Sequence, residues 1–149
     1  MAKIIRATSE HENFIQLVRL LDADLNGRYG QLQAEYDRYN TIESIQTVVI
    51  SYVDGNPAGC GAFKPFDEET VEIKRMFVKP EHRGKGLAGR MLRELETWAK
   101  EMGFSRSVLE TGKKQQEAIG LYEKHGYKRI GNYGQYADQP NSVCFEKIL

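Results

Sequence analysis

Apolar residues recur along the chain at two spacings, and turn residues separate the runs. Residues 3–8 form an apolar-basic run suited to a first strand. Ser9 with Glu12 then makes a capping-box pattern. Phe14, Ile15, Val18, Leu21 and Leu25 follow at helical spacing, so a helix is predicted to about Asp24. Residues 25–30 carry two glycines and read as a loop, and residues 32–39 are a weaker helical stretch. Thr47–Val53 is rich in β-formers, Asp54-Gly55-Asn56-Pro57 is turn chemistry, and residues 58–66 return as the second arm of a hairpin. After Asp67-Glu68-Glu69 a further strand begins, on which alternation puts Glu72, Lys74, Met76 and Val78 on one face. Leu87, Met91, Leu92, Leu95, Trp98, Ala99 and Met102 then mark a long helix, closed by Gly103-Phe104. Residues 106–111 read as a buried strand, parallel to the previous one because a helix joins them. Residues 115–125 form another helix with Gly126 as its stop, and residues 127–133 and Ser142–Ile148 supply two last strands. Strands and helices mixed in this order, behind an antiparallel front half, give an α+β or mixed α/β sheet.

The stretch 71–102 organises the rest: a strand, then Arg83-Gly84-Lys85-Gly86-Leu87-Ala88, then a helix. Two glycines permit positive φ and close backbone approach, while the amides that open the helix have no partners. Those amides and the positive end of the helix dipole point at one spot, and Arg83 and Lys85 add charge. The arrangement is a cradle for a pyrophosphate. It is not a nucleotide P-loop, which needs Gly-Lys-Ser/Thr; here Lys85 is followed by Gly86 and Leu87. The dinucleotide fingerprint is only half present.

Arg83-x-x-Gly86-x-Ala88 between a strand and an amphipathic helix resembles the acyl-coenzyme A signature of the GNAT superfamily of N-acetyltransferases. Val108-Leu109-Glu110-Thr111 resembles that family's next strand, and residues 118–127 resemble its closing helix and strand start. The resemblance implies a GNAT-like fold: a central, mixed, mostly antiparallel twisted sheet of about six to seven strands, with a parallel splayed central pair and about four flanking helices. It implies acetyl-coenzyme A as co-substrate, held by the loop residues Arg83, Gly84, Lys85, Gly86, Leu87 and Ala88. The backbone of Met76, Phe77 and Val78 would serve as a rail for the pantetheine arm. Gln115 stands where many members have an asparagine that contacts the cofactor.

The same resemblance makes Tyr122 the general acid. A phenol with an ordinary pKa of about 10 is protonated at neutral pH and able to protonate a leaving thiolate. It places Glu72 where several members carry a general base, although Lys74 two residues along would equally suit a surface ion pair. The acceptor pocket would draw on Asp24, Arg28, Tyr29 and residues 133–141. Arg28 with Lys74 or Arg75 is able to hold a carboxylate, which points to an amino-acid-like amine acceptor. Direct transfer in a ternary complex is expected. An acetyl-coenzyme A-binding sensor or interaction module without turnover, or an acetyltransferase for protein lysines or N-termini, is the alternative. Members often pair through their C-terminal strands, so Val143, Phe145 and Ile148 would suit either a homodimer interface or a core.

Composition narrows the partners. The chain has 149 residues, one domain's length, and its 21 basic and 21 acidic side chains balance to a formal charge of zero, giving no global attraction to nucleic acid or anionic lipid. The basic run around Arg83 is interrupted by Glu81 and Glu94 and lacks interleaved aromatics. No apolar run approaches the roughly 20 residues that span a bilayer, and the N-terminus lacks a signal peptide's apolar region, so a cytoplasmic protein is expected. Cys60 and Cys144 make no disulfide framework and no Cys or His cluster has metal spacing, so neither an acyl-enzyme nor a metal is expected.

Overall fold

The computed structural model describes residues 2–29 and 44–149; the side chains of Asn26, Arg28 and Tyr29 also lie outside the description. In chain order the elements are β1 (Ala2–Ala7), α1 (Glu12–Tyr29), β2 (Thr47–Val53), β3 (Asn56–Pro65), β4 (Thr70–Val78), α2 (Leu87–Glu101), β5 (Arg106–Gly112), α3 (Gln116–Lys124), β6 (Lys128–Ile130) and β7 (Ser142–Ile148). The strands form one seven-stranded sheet in the order β1-β2-β3-β4-β5-β7-β6. β1 and β2, β5 and β7, and β6 and β7 run antiparallel, whereas β4 and β5 are parallel. The mixed, mostly antiparallel sheet with a parallel central pair is therefore present. Among the described residues there are three α-helices rather than about four; the helical stretch expected at residues 32–39 lies outside them. No helix among the described residues is long and apolar enough to cross a membrane.

The chain groups into two compact units, Met1–Ala62 with Arg75–Leu95, and Phe63–Lys74 with Glu96–Leu149. In the first, Phe14, Leu17, Val18 and Leu21 of α1 pack on Val48, Ile50, Cys60, Ala62 and Phe77. Each leucine, valine, isoleucine or phenylalanine so removed from water contributes roughly 2 kcal/mol. Asp54 and Gly55 turn β2 into β3 with φ of 51° and 84°, the geometry that lets a two-residue hairpin follow the strand twist. The other arm of this unit's sheet is pinned where Lys79 N–H donates to the Ala58 carbonyl at 2.8 Å.

Two local expectations are corrected here. Helix α1 does not stop near Asp24 but continues through Gly27 to Tyr29, because Leu25 packs against the core and compensates for one interior glycine. Ser9 does not cap that helix: its Oγ accepts from Ile45 N–H at 2.8 Å, and His11 Nδ1 accepts from Asn13 N–H at 3.1 Å instead.

In the second unit Tyr127 donates to Glu96 Oε2 at 3.0 Å and its hydroxyl lies 2.8 Å from Ser107 Oγ, while Lys147 donates to Glu96 Oε1 at 2.9 Å. The buried Glu96 carboxylate is thus satisfied on both oxygens, as burial of a charge requires. Phe63 meets Trp98 and Phe104 edge-on, with centroids 5.9 and 6.4 Å apart. Helix α2 closes as Phe104 N–H reaches back to the Ala99 carbonyl at 3.0 Å over Gly103, whose φ is 95°.

The expected alternation along β4 also fails past Arg75. Val71 pairs with Ser107, which faces Glu96 of α2 through Tyr127. Met76 lies over Gly61 together with Leu95 of α2. An odd and an even residue of one strand thus face the same helix, so a residue is inserted between them. Arg75, with φ of 60°, is that bulge.

Candidate active site

The loop expected to cradle a pyrophosphate lies in the first unit. Residues 80–82 make one 3-10 turn, Gly84 and Gly86 both take φ of 79°, and α2 opens at Leu87. A Cβ at either glycine would meet nothing within 4 Å, so these glycines serve backbone conformation rather than packing. The first α2 amide to find a helical partner is Arg90, bonded to the Gly86 carbonyl at 3.1 Å. The amides before it, from Leu87 and Ala88 onward, open the helix without such partners. Arg83 folds back onto its own strand: Nε donates to the Val78 carbonyl at 2.8 Å, and the guanidinium sits 5.7 Å over the Phe77 ring. Lys85 is exposed.

Residues 76–78 close against glycines of β3. A Cβ at Gly59 would lie 2.6 Å from the Phe77 carbonyl oxygen, and one at Gly61 would lie 2.4 Å from Met76 Sδ. At the end of this strand a cavity of about 330 Å³ is lined by Leu20 and Asp24 of α1 and by Phe77, Lys79, Glu81 and Arg83. Its lining joins apolar side chains, Leu20, Phe77 and Pro80, with charges of both signs. Arg75 is drawn to α1, where Nη1 meets Asp22 Oδ1 at 3.1 Å. Arg28 and Tyr29 lie at the end of α1, with side chains outside the described residues.

A second cluster lies in the other unit. The parallel register joins Thr70–Ile73 to residues 106–109 and ends there. Glu72 and Lys74 share a face of β4, and Glu110, two residues beyond Glu72's partner Val108, points the same way on β5. Tyr133 donates to Glu72 Oε2 at 2.7 Å, Lys74 Nζ donates to Tyr136 Oη at 3.1 Å, and Ser142 donates to Glu110 Oε2 at 2.7 Å. The two tyrosine rings meet edge-on at 5.6 Å, and Phe66 continues the stack with its centroid 5.1 Å from Tyr133.

Burial pushes the Glu110 carboxyl from the ordinary 4.5 up to about 7; the Ser142 hydrogen bond and the Lys74 charge hold it down in part, and the Glu72 carboxylate adds to the rise. Burial likewise raises Tyr133 and Tyr136, reinforced by neighbouring carboxylates. The face therefore combines a carboxyl that titrates near neutrality with phenols that stay protonated.

Tyr122 on α3 is 6% exposed, and its ring packs on Tyr127 and Phe145 at 5.8 and 6.3 Å. Burial, then the Glu110 charge, raises its pKa, so it holds its proton throughout the neutral range. Gln115 precedes α3 without a side-chain cap, its N–H bonded to the Gly112 carbonyl at 3.0 Å. The thiols are poor nucleophiles: burial lifts Cys60 to about 12 and Cys144 to about 11. Among the described residues no three His, Cys, Asp or Glu side chains gather as a metal site.

The structure thus joins Glu72 and Lys74 in one cluster and Arg83 with residues 77 and 78 in another. Sequence reasoning missed Glu110, and Ser142 with it. A signal was present: Glu110 is the one charged residue in the run Ser107-Val108-Leu109-Glu110-Thr111, which reads as a buried strand. A carboxylate in such a run is either paired or put to use.

The family model described as "Acetyltransferase (GNAT) family" matches residues 14–127. The "IAA acetyltransferase" of Azospirillum brasilense is 33% identical over 98% of this chain and 97% of its own length. A Klebsiella pneumoniae structure assigned as an acyl-CoA N-acyltransferase superposes with a TM-score of 0.82 at 31% identity, covering 100% of this chain and 98% of that one. The fold is shared as well with a Thermoplasma acidophilum PaiA N-acetyltransferase solved with coenzyme A, with a TM-score of 0.71 at 19% identity over 100% and 99% of the two chains.

Proposed function

Because this chain belongs to the GNAT acetyltransferase family, we propose that it moves an acetyl group from acetyl-coenzyme A directly to the primary amine of a small, amino-acid-like acceptor. The observation that carries this reading is the Glu110 carboxyl at about 7, set on one face with Glu72, Lys74 and two tyrosines. An amine arrives as an ammonium and must lose a proton before it attacks. A base poised near the working pH is suited to that task, and a carboxyl at 4.5 is less so. Glu110 is therefore assigned as general base in place of Glu72. Glu72 holds Tyr133 and supplies the charge that helps keep Glu110 basic.

Glu110 takes the ammonium proton, the amine nitrogen bonds to the thioester carbon, and the carbonyl oxygen becomes an oxyanion. Collapse breaks the carbon–sulfur bond, Tyr122 protonates the departing thiolate, and the phenolate left behind takes the second proton from the acylated nitrogen, giving a neutral amide, while Glu110 releases its proton to solvent. Donor binding is assigned to the amides from Gly84 to Ala88 with Lys85, and the pantetheine arm to the backbone of Met76, Phe77 and Val78. Gln115 is a further donor contact.

Lys74, on the same face as Glu72 and Glu110, supports an acceptor bearing a carboxylate. The name of the Azospirillum relative also favours a small-molecule acceptor. The test is thiol release from acetyl-coenzyme A over amino acids, polyamines and basic peptides between pH 5.5 and 9. Amino acids should release thiol, with a limb near pH 7. Binding of coenzyme A with no thiol released by any amine would replace this reading with a sensor.

A further inference from the structure

Arg75 and Asp54 are the two described non-glycine residues with positive φ, at 60° and 51°. Asp54 sits in a hairpin turn, where that conformation is common, but Arg75 sits inside β4. A side chain held there persists only where its surroundings over-determine it. Three contacts do so. Asp22 Oδ1 on α1 takes Arg75 Nη1 at 3.1 Å, with the arginine side chain 10% exposed. The buried Cys60 thiol donates to the Arg75 carbonyl at 3.3 Å. The next two residues close on Gly61 and Gly59, where a Cβ would meet Met76 Sδ and the Phe77 carbonyl oxygen.

We infer that the Asp22–Arg75 ion pair is a positioning device for the donor: α1 holds the bulge from which the peptide groups of Met76, Phe77 and Val78 are aimed. The inference rests on the reading that this backbone carries the pantetheine arm. Moving a bulge by one residue turns every following N–H and C=O to the other side of the strand. Loosening it therefore spoils the rail's aim without removing any group that touches the donor. Asp22 and Arg75 are thus positioning residues, and Arg75 is committed to α1 rather than to the acceptor's carboxylate.

The test is calorimetric titration of the full chain with coenzyme A. For Asp22→Asn the Kd should rise about tenfold. In turnover the KM for acetyl-coenzyme A should rise with kcat retained. Phe14→Leu, in the same core and destabilising by ordinary loss of packing, should leave the Kd unchanged, which separates aim from general stability. Arg75→Gly adopts positive φ without strain but lacks the guanidinium; it should bind as weakly as Asp22→Asn, and the double variant no worse than either. An Asp22→Asn Kd within twofold of wild type, or strictly additive losses in the double variant, overturns the inference while wild-type binding keeps the donor reading intact. Wild-type protein that fails to bind coenzyme A defeats the donor reading itself, and the inference with it.

Discussion

Replacing Glu110 with glutamine tests the proposed chemistry and its physical cause together. Glutamine keeps the shape and still accepts the Ser142 hydroxyl, but it cannot ionise. The carboxyl titrates at about 7 in the folded protein against an ordinary 4.5. Between those values the folded chain holds a proton that the unfolded chain has released, so wild-type stability falls as pH rises through this window. The gap of about 2.5, at about 1.4 kcal/mol per pH unit, sets a ceiling near 3 kcal/mol. Glu110 keeps some contact with solvent, so about 1–3 kcal/mol is the expected range. Glu110→Gln should accordingly match wild type near pH 4.5 and melt roughly 2–12 °C higher at pH 8, given about 2–4 °C per kcal/mol for a chain of this size. Its kcat/KM should fall by about 10²-fold or more, and the limb near pH 7 should vanish. The assay is a pair of melting curves across pH 4.5–9 beside a thiol-release profile. Parallel melting curves at every pH would refute the raised carboxyl, and an unchanged activity profile would remove Glu110 from proton transfer.

Tyr122→Phe should lower kcat by about 10²-fold with the melting temperature nearly unchanged, since the ring contacts to Tyr127 and Phe145 remain; full activity in thiol release would dismiss the phenol as acid. Gly59→Ala forces a methyl against the Phe77 backbone oxygen, 2.6 Å away, and should cost about 1–3 kcal/mol by denaturant titration; a neutral result would mean that β3 and β4 separate easily here. Tyr127→Phe leaves Glu96 and Ser107 short of a buried partner and should cost about 1–3 kcal/mol by the same titration, with kcat retained.

Much of this was legible in the chain because the signals were local. Asp54-Gly55 forecast its hairpin, Gly84 and Gly86 their positive φ, and the spacing from Leu87 to Ala99 a helix whose apolar positions are buried, apart from the half-buried Trp98. Met102, expected on that stripe, is 53% exposed because the helix ends at Glu101. The failures have non-local causes. Ser9 is claimed by Ile45, 36 residues away, so a capping pattern legible in four letters is overruled by the tertiary fold. The bulge falls on an arginine, a residue type that carries no hint of left-handed backbone. Glu110 was visible as a letter but not as a carboxyl titrating near neutrality, because that shift comes first from its burial in the fold and then from Ser142, Lys74 and Glu72, which arrive from two other strands.

The open space around Gly84 and Gly86 has a practical consequence. A bulkier residue at either position disturbs the turn's own conformation and nothing beside it, so on the proposed donor reading coenzyme A binding and structural integrity should separate at this corner. Under the same proposal, a protein altered there should keep its native form while losing its donor, which makes these two positions the place to build an inert control for experiments in living cells.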